Sequence, residues 1–133
     1  MKLEQQVVSL ELAKKLKSLN VKQESLFVWS KQEDLKNWKC EYRKYFAVDM
    51  RRDIAAYTVA ELGELLPTEQ NNRMGFFSGR AINGWFCEVK NYGVMPFERL
   101  HVELQHDTEA NARAAMLVYL IENELLDPKT LSI

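Results

Sequence analysis

The sequence predicts an α+β fold, a single domain over residues 1–133. Two stretches, residues 38–42 and residues 97–105, alternate apolar and polar side chains with the period of a half-buried strand. Near both chain ends, apolar residues recur with helical spacing instead. We therefore expect an antiparallel sheet of about five strands, mainly hairpins, packed against an N-terminal helix and a long C-terminal helix.

The first helix is predicted over residues 9–19. Ser9 is suited to cap its first turn, and Asn20 is suited to the left-handed conformation that ends many helices. The stripe that faces the core consists of Leu12, Leu16 and Leu19.

Two short strands follow, over residues 26–30 and 38–42, and we expect them to form a hairpin. Thr58 and Glu61 then have the spacing of a capping box, in which each side chain accepts a hydrogen bond from the other residue's backbone N–H. This pattern predicts a helix of about two turns that ends at Pro67.

A second hairpin is predicted between residues 74–82 and 85–90. Asn83 and Gly84 favour a type I′ turn, in which both central residues have positive φ. Each predicted hairpin contains a Trp shortly before Cys-Glu, which leaves open an internal duplication or a convergence of strand composition.

The last helix is predicted to begin at Asp107-Thr108 and to cover residues 109–125. Its apolar residues spread over more than one side, so we expect it to be covered on more than one side. The strand before it, over residues 97–105, should bury Leu100, Val102 and Leu104 on one face.

The composition argues against several classes of protein. The net charge is −1, so no overall field attracts nucleic acid or an acidic membrane. Two cysteines are too few for a disulfide framework, and the N-terminus has no apolar signal segment. The longest apolar run, residues 114–121, is far shorter than the roughly 20 residues that cross a bilayer. A cytoplasmic protein without membrane contact is expected.

The sequence offers little for catalysis. A nucleophile would combine Cys40 or Cys87 with His101, but a thiol on a buried strand face is inert. Glu61 and Glu64 could form a catalytic carboxylate pair, but Glu61 is explained by the capping box and Glu64 by a solvent-exposed helix position. We therefore expect no enzyme activity, no cofactor and no metal site. The spacing of the possible metal ligands does not match that of a known type of metal site. These residues are His101, Glu103, His106 and Asp107.

Residues 36–52 are basic, with six cations against two carboxylates, and aromatic residues lie between the charges. Cations beside aromatic rings are typical of single-strand nucleic-acid binding, which makes this segment one candidate interface. The alternation of Trp38 and Tyr42 is instead typical of a buried strand face. The candidate basic contacts are Lys39, Arg43, Lys44, Arg51 and Arg52.

The chain has more large aromatic side chains than a small core needs. If Trp85 faces the core, Phe86 points away from it, beside charged residues. Phe27 and Trp29 alternate in the same way with Leu26 and Val28. Exposed aromatic residues among charges are typical interface anchors, so Phe27, Trp29 and Phe86 are candidate contacts with a protein. Helices that cover both sheet faces, or an aromatic pocket for a small ligand, are the alternatives.

Three parts of the chain resemble a widespread group of small uncharacterised proteins of bacteriophages, prophages and gut bacteria. They are residues 8–16 (VSLELAKKL) with 21–27 (VKQESLF), residues 58–67 (TVAELGELLP) and residues 107–117 (DTEANARAAML). The resemblance implies a phage or mobile-element accessory protein whose partner is a host or phage protein. The leading expectation is a non-catalytic protein-binding factor that inhibits a host defence or regulatory protein. Nucleic-acid binding and ligand sequestration are the alternatives.

Overall fold

The computed structural model describes residues 2–31, 37–43, 52–67, 74–91 and 100–131. The described helices are α1 (Leu3–Gln6), α2 (Leu10–Ser18), α3 (Val59–Leu65) and α4 (Glu109–Glu122), and a 3-10 turn follows at Pro128–Thr130. The described strands are β1 (Phe27–Lys31), β2 (Trp38–Tyr42), β3 (Ile54–Ala55), β4 (Met74–Ala81), β5 (Gly84–Asn91) and β6 (Leu100–His106).

The fold is α+β, but the described strands form two antiparallel sheets rather than one sheet of about five strands. The first sheet has the order β2-β1-β3, and the second has the order β4-β5-β6. Both predicted hairpins are confirmed, since β1 pairs with β2 and β4 pairs with β5. The single sheet is a wrong prediction because alternation shows which face of a strand is buried and says nothing about which strand edges meet.

One hydrophobic core joins the two sheets. Trp29 and Ile54 enter it from the first sheet, and Cys87 and Val89 enter it from the second. Helix α4 runs through this core and is buried on several sides, as its broad apolar stripe predicts. Its buried residues are Ala110, Asn111, Ala112, Ala114, Met116, Leu117, Val118, Leu120 and Ile121.

The residues predicted to begin and end the helices make the expected hydrogen bonds or backbone turns. The Ser9 hydroxyl accepts a hydrogen bond from the Leu12 N–H, and Asn20 has φ 65° where α2 ends. The Thr58 hydroxyl accepts from the Glu61 N–H at 3.2 Å, and a Glu61 carboxylate oxygen accepts from the Thr58 N–H at 2.9 Å. The capping box is therefore complete.

Side chains also tie the N-terminal segment to distant elements. The Ser9 N–H donates to Asn111 Oδ1 at 2.7 Å, while the Thr108 hydroxyl caps α4 by accepting from the Asn111 N–H. The Trp29 indole N–H donates to the Val8 carbonyl at 2.9 Å. These bonds satisfy buried polar groups and hold the segment before α2 against both α4 and β1.

The turn between β4 and β5 differs from the predicted one. Ala81 pairs with Gly84, so the two turn residues are Ile82 and Asn83. Gly84 has φ +151°, and a Cβ there would lie 2.5 Å from the His106 carbonyl oxygen. Among the described non-glycine residues, positive φ occurs only at positions 20 and 124, so the type I′ prediction is wrong. The glycine is required by the close approach of β6.

Candidate functional site

The second sheet has one face toward the core and one face toward solvent. Directly opposite residues on paired strands share a face, so the register assigns every side chain. Cys87 and Val89 point into the core. We call the opposite side the outer face, and its described residues are Gly75, Phe77, Gly79, Ala81, Gly84, Phe86, Glu88, Lys90, His101, Glu103 and Gln105.

Two aromatic rings form the apolar centre of the outer face. Phe77 is 59% exposed, and its ring centroid lies 5.7 Å from that of Phe86 with the planes tilted by 48°. Gly79 lies directly opposite Phe86, and a Cβ there would lie 3.1 Å from the ring. The glycine thus leaves room for the Phe86 ring to lie across β4, beside Phe77.

Charged groups surround these rings. Glu88 lies 3.2 Å from His101 Nε2 and 3.5 Å from Lys90 Nζ. The hydrogen bond from His101, and then the charge of Lys90, hold the pKa of the Glu88 carboxyl below its usual value. Glu103 is directly opposite Glu88 on β6 and is exposed, and no described cation pairs with it. Two carboxylates therefore face each other across the strands beside Phe77.

The predicted aromatic contacts divide between the core and the surface. Phe86 lies on the outer face beside Glu88 and Lys90, where the sequence places it. Phe27 is half-buried and its ring centroid is 5.5 Å from that of Tyr42. The expected exposure of Trp29 is wrong, because its side chain is 8% exposed and its indole N–H is hydrogen-bonded inside the core.

The basic segment is described only in part. Lys39 is exposed on β2, Arg43 follows that strand, and Arg52 lies 4.0 Å from the Asp53 carboxylate. Lys44 and Arg51 lie outside the described residues. Trp38 is half-buried beneath the ammonium of Lys14, 5.2 Å from the ring centroid.

The thiols are not placed for nucleophilic chemistry. Burial raises the pKa of Cys40 to about 12, with Glu4 and Glu41 adding to the rise. Burial also raises the pKa of Cys87 to about 12, although the charge of Arg113 opposes it. His101 is on the outer face of its sheet, opposite to Cys87, so it cannot act as the base for this thiol.

The two histidines are engaged separately with acidic neighbours. His101 contacts Glu88, and His106 Nδ1 lies 2.8 Å from Asp107 Oδ1. The Asn111 side chain also donates to this Asp107 oxygen, and these two contacts lower the pKa of the Asp107 carboxyl. No group of three or more His, Cys, Asp or Glu in the described ranges is arranged to hold a metal ion.

Phe77 is the functional candidate that the sequence analysis missed. The segment Gly75-Phe76-Phe77-Ser78-Gly79 contains the signal, because neighbouring strand residues point to opposite faces. One of its two phenylalanines must therefore leave the core. The glycines share a face with Phe77, and an aromatic residue between glycines leaves space around its ring.

Comparisons with protein-family models, with curated proteins and with solved structures found no match to this chain. Among the residues described, no helix combines the length and the apolar character needed to cross a membrane.

Proposed function

We propose that the protein is a non-catalytic binding factor that recognises another protein through the outer face of its second sheet. The observation that supports this most strongly is the ring pair on the outer face, in which Phe77 is exposed and Phe86 is half-buried beside it. Aromatic residues surrounded by charges are frequent anchors of protein interfaces.

The charges define the kind of partner. Both Glu88 oxygens are engaged by Lys90 and His101, whereas Glu103 is free of any described cation. Facing carboxylates destabilise a strand pair, so the arrangement costs the fold some stability. A partner with an apolar side chain beside a Lys or Arg would cover the rings and neutralise Glu103. The resemblance to phage proteins extends the proposal to a host defence or regulatory protein as this partner.

The experiment is capture from nuclease-treated lysate of a bacterial host, with wild-type bait and two matched variants, read by mass spectrometry. Phe77→Ser removes the exposed ring of the outer face. Ile82→Ser is the control, because Ile82 is 101% exposed at the turn of the same hairpin and does not belong to the outer face. We expect one stoichiometric protein that Phe77→Ser loses and Ile82→Ser keeps.

Charge reversal gives an independent arm. Glu103→Lys should weaken the same capture, because it repels the basic group that the proposal assigns to the partner. Equal capture by Phe77→Ser and Ile82→Ser would refute the outer face as the interface. Material that disappears with nuclease, and with Lys39→Glu combined with Arg43→Glu, would support nucleic-acid binding instead.

A further inference from the structure

A cavity of about 610 Å³ lies at the hairpin end of the second sheet, and neither Phe77 nor Phe86 lines it. Its apolar wall includes Leu3 of α1, Phe27 at the start of β1 and Trp85 at the start of β5. Arg80, Asp107 and Glu109 supply charged groups. This volume lies within the range of about 300 to 1,000 Å³ that is typical of small-molecule sites.

The two carboxylates of the wall already have partners. Asp107 Oδ1 accepts from the Asn111 side chain at 3.0 Å and lies 2.8 Å from His106. Glu109 Oε2 accepts from the Ser78 hydroxyl at 2.9 Å and lies 3.7 Å from Arg113. Glu109 is therefore paired with a cation of the protein, whereas Asp107 is held by hydrogen bonds at the exposed rim of the cavity and keeps its charge.

Unlike Asp107 and Glu109, the third charged residue of the wall, Arg80, has no hydrogen-bonded or ionic partner among the described residues. Its guanidinium lies 5.4 Å from the centroid of the Trp85 ring, its directly opposite neighbour, and no carboxylate of the described residues pairs with it. Arg80 is also exposed. The cavity thus offers an uncompensated cation beside an aromatic wall. An arginine held against a ring is well placed to bind an anionic group while the ring packs against a flat apolar body.

We propose that this cavity binds a small organic anion with a planar apolar body. Phe27 and Trp85 contact the planar body, and Arg80 binds the anionic group. The site includes neither Phe77 nor Phe86, so the inference does not depend on the proposed protein interaction.

The test uses two fluorescent probes with the same ring system. Anilinonaphthalene sulfonate carries an anionic group, and phenylnaphthylamine is the same molecule without it. We expect wild-type protein to bind one sulfonate probe per chain, more tightly than the neutral probe. Arg80→Gln should weaken sulfonate binding about tenfold or more and leave the affinity for the neutral probe unchanged.

Two controls locate the binding. Lys39→Gln removes an exposed cation of the other sheet and should leave both affinities unchanged. Phe77→Ser should do the same, which separates the cavity from the ring pair of the outer face. Equal affinity for the two probes, an unchanged affinity in Arg80→Gln, loss of binding in Phe77→Ser, or the absence of saturable binding would each overturn the proposal.

Discussion

Trp29 and Tyr57 are two buried aromatic residues whose polar atoms have different surroundings. The Trp29 indole N–H donates to the Val8 carbonyl, whereas no described group completes a hydrogen bond with the Tyr57 hydroxyl. Burial, with the nearby Glu61 and Glu24 carboxylates, raises the pKa of Tyr57 well above its usual value. The Glu24 backbone approaches the hydroxyl without reaching hydrogen-bond geometry, and it opposes the rise only in part. A buried hydroxyl without a partner costs the folded state free energy.

This difference predicts opposite outcomes for the same type of substitution. Trp29→Phe should lower the free energy of unfolding by about 2 to 4 kcal/mol, since it leaves a cavity and a buried carbonyl without its donor. Tyr57→Phe should change it by less than about 0.5 kcal/mol or raise it by about 1 kcal/mol. Urea denaturation of both variants checks the pair. A large loss in Tyr57→Phe would mean that the hydroxyl has a partner.

The two thiols predict an alkaline loss of stability. Their pKa values rise from 9.0 to about 12 on folding, so the unfolded chain releases these protons first. Their contribution is complete below about pH 9 and is lost as the pH rises toward 12. The free energy of unfolding should therefore fall between about pH 9 and pH 12, and Cys87→Ala should reduce this slope. An equal slope in Cys87→Ala would contradict the assignment.

At the level of the element, the turn between β4 and β5 gives another prediction. Gly84→Ala should destabilise the protein by about 1 to 3 kcal/mol, because it strains the backbone and meets the His106 carbonyl. Asn83→Ala should change stability by less than about 0.5 kcal/mol, since Asn83 does not need positive φ. Thermal melting of the two variants measures the difference. A larger loss in Asn83→Ala would restore the type I′ interpretation.

Local signals predicted the elements well. Ser9, Thr58 and Thr108 cap the helices that follow them because these hydrogen bonds join residues only three positions apart. Glu61 completes the capping box from the first turn of α3. The position of the hairpin turn could not be read from Asn83-Gly84, since the need for a glycine arises from a third strand that is distant in sequence. The division into two sheets is also a long-range property.

The candidate site was predicted less well, for a related reason. Alternation correctly separated Phe86 from Trp85, because both lie on one strand. It placed Trp29 outside, although Trp29 is buried in the shared core and its indole is bonded to the Val8 carbonyl, which only the packed structure shows. Phe77 and the cavity beside Arg80 depend on which strands become neighbours, and a single sequence does not supply that information.

At the level of the whole molecule, the shared core predicts that the two sheets unfold together. The second sheet packs against α4, β3 of the first sheet contacts α2, and α2 contacts α4. Residues of both sheets belong to one hydrophobic cluster. The slowest amide protons of β1 and β5 should therefore exchange with the same free energy of opening, measured by native-state hydrogen exchange. A difference of more than about 1 kcal/mol between the two strands would show that the sheets are independent units.

The most direct test of the account is the affinity of the captured protein for Phe77→Ser compared with Ile82→Ser, measured by calorimetry. Both variants should fold, since each replaces an exposed side chain at little cost in stability. We predict that Phe77→Ser weakens binding by at least about 30-fold, as expected for an interface anchor, while Ile82→Ser binds like the wild type. Equal affinity of the two variants would contradict the claim that the outer face binds a protein.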